Sequence, residues 1–568
     1  MLSFKMIRNG KGHISHYEVS AIGKHLLTTA KLNKGNAFSY DERHIFKLLG
    51  KLPASEETLE AQADRMYTQY QELPTPLQKN IFLNSLHDNN ETLFYKLVGC
   101  HLKEMLPIVY TPTVGEAVKH FSLELRDPRG LFLSYPDKDK LEEMLANRLN
   151  KDVDLIVVTD GERVLGIGDQ GIGGINISIA KLMVYTLCAG VNPHRVLPIQ
   201  LDVGTNNQTL LNDPMYLGWR HERLSGKEYD DFIDLFVKAI QKKLPNVYLH
   251  WEDFGRDNAR KNLERYRFKM LTFNDDMQGT GAVTLACVLS SVQAIQQTLS
   301  KQRVVFFGAG TAGVGIADQI CAAMMREGIS EEEARQNIWL IDRPGLLIED
   351  SDLLDFQKPY AKSRKLIQNW QVANPKNITL LDVVKNLKPT VLIGCSTLTG
   401  AFNEDIVKTM AAGVEHPIIL PLSNPTEKAE ATPKDILTWT KGKAIVATGS
   451  PFDDVDVNGK KVRISQSNNA FIFPGIGLAV IAVHAKHVTD NMLYAAAKAL
   501  ADFSPAKKDR TAPVLPDLDQ VHDISNHVAC EVIKQAVADG VATLPDDLEK
   551  ALNSTQWETK YYPYKRVE

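Results

Sequence analysis

Short apolar runs that end in Gly, Asp, Ser or Asn recur in two series, and they constrain the fold more than any other feature of the chain. The first series is DLIVVTDG, RVLPIQLDVG and NVYLHWEDFG, starting near residue 150. The second, after residue 300, is RVVFFGAG, NIWLID, PTVLIGCS, PIILPLSNP and AIVATGS. Helical stretches such as SIAKLMVYTLCAG separate them, and that alternation predicts parallel strands joined by crossover helices. Ligands bind such open sheets at the C-terminal strand ends, where the polar residues fall. The expected class is α/β: a helical N-terminal region, an α/β substrate and metal domain, and a Rossmann-type doubly wound dinucleotide domain.

The first 125 residues read as mostly helical. SEETLEAQADRMYTQYQEL opens on Ser55 with acids in its first turn, and NETLFYKLVGCHLKEMLPIVY reads as a similar helix stopped at Pro107. The last hundred residues return to helix and end in a polar tail, YYPYKRVE. The expected partition is 1–125, a helical domain and candidate oligomer interface; 126–278, the α/β domain, completed by 467–535; 279–466, the dinucleotide domain; and 536–568, a C-terminal helical tail. A chain of 568 residues accommodates that many units.

Composition narrows the function classes. A formal net charge of −4 gives no reason to expect nucleic acid or an anionic membrane as partner. Apolar runs such as IGLAVIAV (476–483) are too short to span a bilayer. Lys5, Arg8 and Lys11 precede the first acid, Glu18, but the stretch is short and poor in Ser, so an ordinary N-terminus is expected rather than a transit peptide. Six scattered cysteines without a C-x-x-C read as buried reduced thiols of a cytoplasmic protein, neither a zinc site nor a disulfide frame.

RVVFFGAGTAGVGIADQICAAMM places Gly308, Gly310 and Gly313 between a strand and an apolar-periodic helix. The first glycine permits a tight turn, the second lets a pyrophosphate approach the backbone, and the third allows strand and helix to pack closely. The next strand ends in Asp342, placed to accept hydrogen bonds from the adenosine ribose and to repel a 2′-phosphate, which favours NAD. EGISEEEARQN explains the long interval before it, and Arg343, the next residue, offers the opposing possibility of binding that phosphate.

Two acidic pairs lie just ahead of this unit, Glu252–Asp253 in HWEDFG and Asp275–Asp276 in FNDDMQG. On a continuous strand Glu252 and Asp253 would point to opposite faces. Either each pair is solvated or caps a helix, or the chain bends and three carboxylates (Glu252, Asp253 and Asp275 or Asp276) converge on a hard cation such as Mg²⁺ or Mn²⁺. Lys181 is a lone charge in an apolar helix. It is either a snorkelling side chain or a partly buried amine whose lowered pKa suits a general base. Arg163 in DGERVLGIGDQG is either a carboxylate clamp or a turn residue, and on spacing alone Tyr110 reads as core or cap.

Taken in order, NKGNAFSYDER, IVYTPTVGEA, TDGERVLGIGDQGIGG, KLMVYTLCAGVNPHRVLPIQLDVGTNN, WEDFGRDNA, FNDDMQGTGAV, FGAGTAGVGIA, LSNPTEKAE and SNNAFIFPGIGLAVI resemble the malic enzyme family over nearly the whole chain. The resemblance implies Glu252, Asp253 and Asp276 as Mg²⁺ or Mn²⁺ ligands. It implies Lys181 as general base, Asp275 as the residue orienting it, Tyr110 as general acid and Arg163 as the clamp on the substrate carboxylate. It makes Asn424 and Asn469 amides that contact L-malate or the nicotinamide ribose, with Asn468 beside them. Gln357 resembles the residue of NAD-using members where NADP-using ones carry lysine.

The activity implied is oxidative decarboxylation of L-malate to pyruvate and CO2 with reduction of NAD, in a homotetramer built as a dimer of dimers. The alternatives are a malolactic enzyme, which yields lactate with NAD kept bound, and a non-catalytic dinucleotide-binding regulator. Some animal members have a fumarate site with two arginines; Arg65 matches one, and Asn89 stands where the other is expected.

Overall fold

The computed structural model describes residues 4–568 apart from 125, 126, 149, 165 and 458. Five parallel strands form the first large sheet, in the order Leu131–Ser134, Val196–Asp202, Leu155–Thr159, Tyr248–Trp251, Thr272–Asn274. Leu155–Thr159 and Tyr248–Trp251 are buried at every position, as strands covered by helices on both faces must be.

The second large sheet has seven strands, ordered Gly345–Leu346, Ile338–Asp342, Val304–Phe307, Val391–Gly394, Ile418–Pro421, Ile445–Thr448, Ser465–Gln466. All its pairings are parallel except the Gly345–Leu346 edge. The strand order reverses direction between Val304–Phe307 and Val391–Gly394, which makes a doubly wound sheet with its switch point at Gly308 and Cys395.

The helix Ile175–Ala189 lies between the substrate sheet and helices from the last hundred residues. A Cβ on Gly477 would sit 2.4 Å from the Tyr185 ring, so the late helix Phe473–Ala482 packs backbone-close against it. With the 3-10 turn before it, this helix (171–189) is long and apolar enough to cross a bilayer, yet 94% of it is buried in the protein. It is a core helix.

Five local expectations are corrected. The N-terminal region opens with a hairpin, Phe4–Arg8 paired with Ile14–Val19, before any helix. The presumed single helix around Pro107 is two, Glu91–Cys100 and Leu102–Val109, broken at His101, with Pro107 inside the second. The C-terminal segment is not a helical tail throughout: after the helix Leu548–Thr555, Tyr564–Arg566 joins Ile14–Val19 as a parallel strand. Aromatic residues favour such half-buried strands, and Tyr17 stacks on Tyr562 and Tyr564 with ring centres 5.1 and 5.7 Å apart. Thr58, not Ser55, caps the helix Leu59–Gln71. Cys100, expected buried with the other thiols, ends the helix Glu91–Cys100 and is exposed.

Candidate active site

The strand Tyr248–Trp251 ends where the acids begin. Glu252 N–H makes a last bond to the Val158 carbonyl, 2.9 Å, and Asp253 then turns left-handed with φ 55°. That conformation costs a non-glycine residue about 1–2 kcal/mol, and Asp is among the residues that tolerate it. The bend answers the strand problem: carboxylate oxygens of Glu252, Asp253 and Asp276 lie within 4.8 Å of one another.

Asp275 and Asp276 sit on a π-helical turn, Asp275–Gly279, directly after the strand Thr272–Asn274. Such turns are rare and concentrate at functional sites. The Asp253 N–H donates to Asp276 Oδ2 at 2.8 Å, tying the two acidic pairs together.

Lys181 stands at the centre, 1% exposed. Its Nζ lies 2.6 Å from Tyr110 Oη, 2.8 Å from Asp275 Oδ2 and 2.8 Å from Glu252 Oε1. The Phe473 ring centre is 4.6 Å away. Burial pulls the lysine pKa down, but Asp275, Glu252 and Tyr110 together outweigh it and hold the ammonium well above its ordinary value. The lowered pKa expected from an apolar helix is therefore corrected: the helix supplies the burial, but two carboxylates from other elements stand at contact distance and outweigh it. Burial likewise raises the Tyr110 hydroxyl, against the opposing pull of Lys181.

The donor chemistry fits a hard divalent cation. Burial raises Glu252 to about 7, with Asp275 adding to the rise and Lys181 opposing it. Burial, Glu252 and Asp275 raise Asp276 to about 7. Crowded carboxylates in this state gain most from a cation with oxygen preference. His250 also lies within reach of Glu252 and Asp275, but its nitrogens are engaged by Tyr185 Oη at 2.8 Å and Glu252 Oε2 at 2.7 Å. Burial lowers His250 to about 3, so the ring is neutral.

Asn469 donates to Asp275 Oδ2 at 2.9 Å and to Thr280 Oγ1 at 3.1 Å, which places its amide on the acid that holds Lys181. Arg163 is exposed on the loop after Leu155–Thr159, and its backbone N–H bonds the Asp253 carbonyl at 3.1 Å. Burial and the neighbouring Arg256 lower its pKa, while Asp276 and Asp253 raise it. The same loop meets the nucleotide sheet: a Cβ on Gly166 would lie 2.5 Å from Pro425 Cδ, beside Asn424, whose Oδ1 accepts from Ser450 Oγ at 2.5 Å.

The three glycines behave as three different devices. Gly308 has φ 108°, and a Cβ there would meet the Cys395 carbonyl at 2.5 Å. A Cβ on Gly313 would meet the Gly308 carbonyl oxygen at 2.2 Å, whereas one on Gly310 would meet nothing within 4 Å. The middle position is open at the start of the helix Thr311–Arg326, as a cradle for a dinucleotide phosphate requires. Asp342 ends its strand nearby. Buried Gln357 spans the two, its Nε2 2.8 Å from the Ala309 carbonyl and 3.4 Å from Asp342 Oδ2. Asn468 caps the turn Asn469–Phe471, its Oδ1 accepting from Ala470 N–H at 2.9 Å.

Comparisons with known proteins show the family. Residues 87–267 match the malic enzyme N-terminal domain and 277–537 the malic enzyme NAD-binding domain. NAD-dependent malic enzymes of Photorhabdus laumondii and Pseudomonas aeruginosa are each 50% identical over 548 residues, covering 96% of this chain and 97% of theirs. The chain belongs to the malic enzyme family. Two solved malic enzymes share the fold. That of Entamoeba histolytica has a TM-score of 0.55 at 24% identity and covers 90% of each chain. That of Pyrococcus horikoshii has a TM-score of 0.52 at 24% identity, covering 80% of this chain and 88% of its own.

Several groups at this candidate site were not expected from the sequence. His250 and Tyr185 buttress Glu252, and a two-residue spacing on one strand face was the available signal. The buried fork from Arg223 to Asp169, 2.7 and 2.9 Å, fixes the base of the Arg163 loop; its partners are too far apart in sequence to pair by eye. At the fumarate positions, Arg65 pairs with Glu57 at 2.5 Å and Asn89 donates to the Ser85 carbonyl at 2.8 Å.

Proposed function

We propose that the protein oxidatively decarboxylates L-malate to pyruvate and CO2, reducing NAD. The observation that carries this reading is Lys181, held at contact distance by Tyr110, Asp275 and Glu252. Glu252, Asp253 and Asp276 would hold Mg²⁺ or Mn²⁺, while the Gly308–Gly313 turn, Asp342 and Gln357 would hold NAD, with Asn468 at the nicotinamide end. When bound, the cation supplies Lewis-acid polarisation of the substrate oxygens and NAD supplies the hydride acceptor.

Arg163 orients a substrate carboxylate at the mouth of the site. Lys181 takes the C2 hydroxyl proton as the alcohol is oxidised. With a cation held by Glu252, the lysine would keep Asp275 as its orienting anion and its pKa would come down from the raised state. After CO2 departs, Tyr110 delivers a proton to C3 of the enolate, giving pyruvate, and Lys181 returns the proton it took from the C2 hydroxyl to Tyr110 across their 2.6 Å contact. Asn469 keeps Asp275 in place, and Asn424, at the junction with the Arg163 loop, contacts substrate.

The partition at 126–278 and 279–466 is part of this reading, supported by the two separate sheets. So is assembly as a homotetramer. Tyr40, Ile45, Leu49, Ile81 and Leu123 are exposed large side chains within the first 125 residues, which suits an interface there. Cytoplasmic location completes the proposal. Turnover of malate with NAD and Mn²⁺, with pyruvate identified as product, tests the function; light scattering tests the assembly.

A further inference from the structure

A cavity of about 280 Å³ lies where five elements meet: the helix Arg256–Tyr266, the turn Asp275–Gly279, the helix Thr280–Ala294, the nucleotide helix Thr311–Arg326 and the late helix Asp490–Asp502. The turn serves both places. Asp275 and Asp276 face the lysine and metal cluster, whereas Met277 and Gln278 line this cavity.

Three arginines and three acids line it, but its buried atoms without a partner are mostly donors. Arg260 uses Nε on Glu264 at 2.8 Å, and its buried Nη1 has no acceptor among the described residues. Arg267 uses Nη2 on Asp490 at 2.6 Å, and its buried Nε has none. Gln278, 5% exposed, accepts from the Asn274 N–H through Oε1 at 3.0 Å, which fixes its orientation and leaves Nε2 without an acceptor. Among the buried atoms of the described lining residues without a partner the one acceptor is Gln319 Oε1, because Gln319 Nε2 donates to the Gln278 carbonyl at 3.1 Å. Arg326 adds a third guanidinium at the rim, bonded to Asn491. The acids Glu264, Asp318 and Asp490 also line the cavity. Glu264 and Asp490 each take one edge of an arginine, and Asp318 accepts the Tyr360 hydroxyl at 2.7 Å.

Buried donors in native proteins are nearly always satisfied, and arginine edges with a free amide select planar or tetrahedral oxyanions. We propose that this cavity binds the carboxylate or phosphate group of a compact metabolite, and that the occupant ties the nucleotide helix to the metal-bearing turn. The cavity is at the small end of ligand sites, so the occupant is small. This inference stands on the cavity alone and is independent of the malate reading, because binding is measured without turnover.

The test is calorimetric titration of the full chain with inorganic phosphate and, separately, with citrate. At least one should bind saturably. Affinity should fall about tenfold or more in the Arg260→Met, Arg326→Gln double variant and rise in Glu264→Gln, which frees the Arg260 edge; a gain cannot come from misfolding. Phosphate alone binding assigns a phosphate group, and citrate alone a carboxylate group. Saturable binding by neither probe overturns the proposal. So does binding that the double variant leaves unchanged, or a loss there without a gain in Glu264→Gln.

Discussion

Lys181 Nζ and Glu252 Oε1 are 2.8 Å apart, so the residue proposed as base and a residue proposed as metal ligand are the same ion pair. Removing the amine removes the base and leaves Glu252 and Asp275 buried without their shared cation. Lys181→Ala is expected to lose about 10²–10⁴-fold in kcat at neutral pH, with NAD binding retained when followed by cofactor fluorescence. Near-normal turnover would remove Lys181 from the mechanism.

Metal dependence should carry a pH signature. Glu252 and Asp276 have folded-state pKa values near 7, above their ordinary carboxylate values. Between those values the folded state holds protons that the unfolded state has released, so metal-free stability falls as pH rises through the window. A cation competes with the same protons, so its affinity falls as pH drops below about 7. The rise in Tm produced by Mn²⁺ should be larger at about pH 8 than at about pH 6. A pH-independent rise in thermal scans would contradict this.

The glycine turn separates packing from binding. Gly313→Ala forces a methyl group against the Gly308 carbonyl and should lower stability by about 1–3 kcal/mol. Gly310→Ala meets open space, so its Tm should hold while KM for NAD rises about tenfold or more. Equal effects on both quantities in both variants would argue against a phosphate cradle at Gly310.

Tyr17, 3% exposed, stacks between the C-terminal rings Tyr562 and Tyr564. Tyr17→Ala should cost about 3–5 kcal/mol of unfolding free energy, measured by denaturant titration, and should release the C-terminal strand to proteolysis. A neutral result would mean that the Tyr564–Arg566 strand contributes nothing to stability.

The two sheets were legible because parallel strands buried on both faces leave continuous apolar runs, and because G-x-G-x-x-G has one strand–turn–helix context. The bend at Asp253 was legible as a contradiction, since two neighbouring acids cannot share a ligand on a straight strand. The C-terminal strand was not, because three tyrosines among charges have no local periodicity and their burial depends on Tyr17, far away in sequence. The raised pKa of Lys181 was hidden for the same reason: its helix is apolar, and the carboxylates that decide its charge come from two other strand ends.

The most direct test of the account is a malate assay followed at the NADH absorbance, with NAD against NADP and with and without Mn²⁺, and with the carbon product identified. The account predicts Mn²⁺-dependent NADH formation, preference for NAD and stoichiometric pyruvate. Lactate without net NADH would contradict it in favour of malolactic chemistry, and no malate-dependent signal with Mn²⁺ present would contradict catalysis altogether.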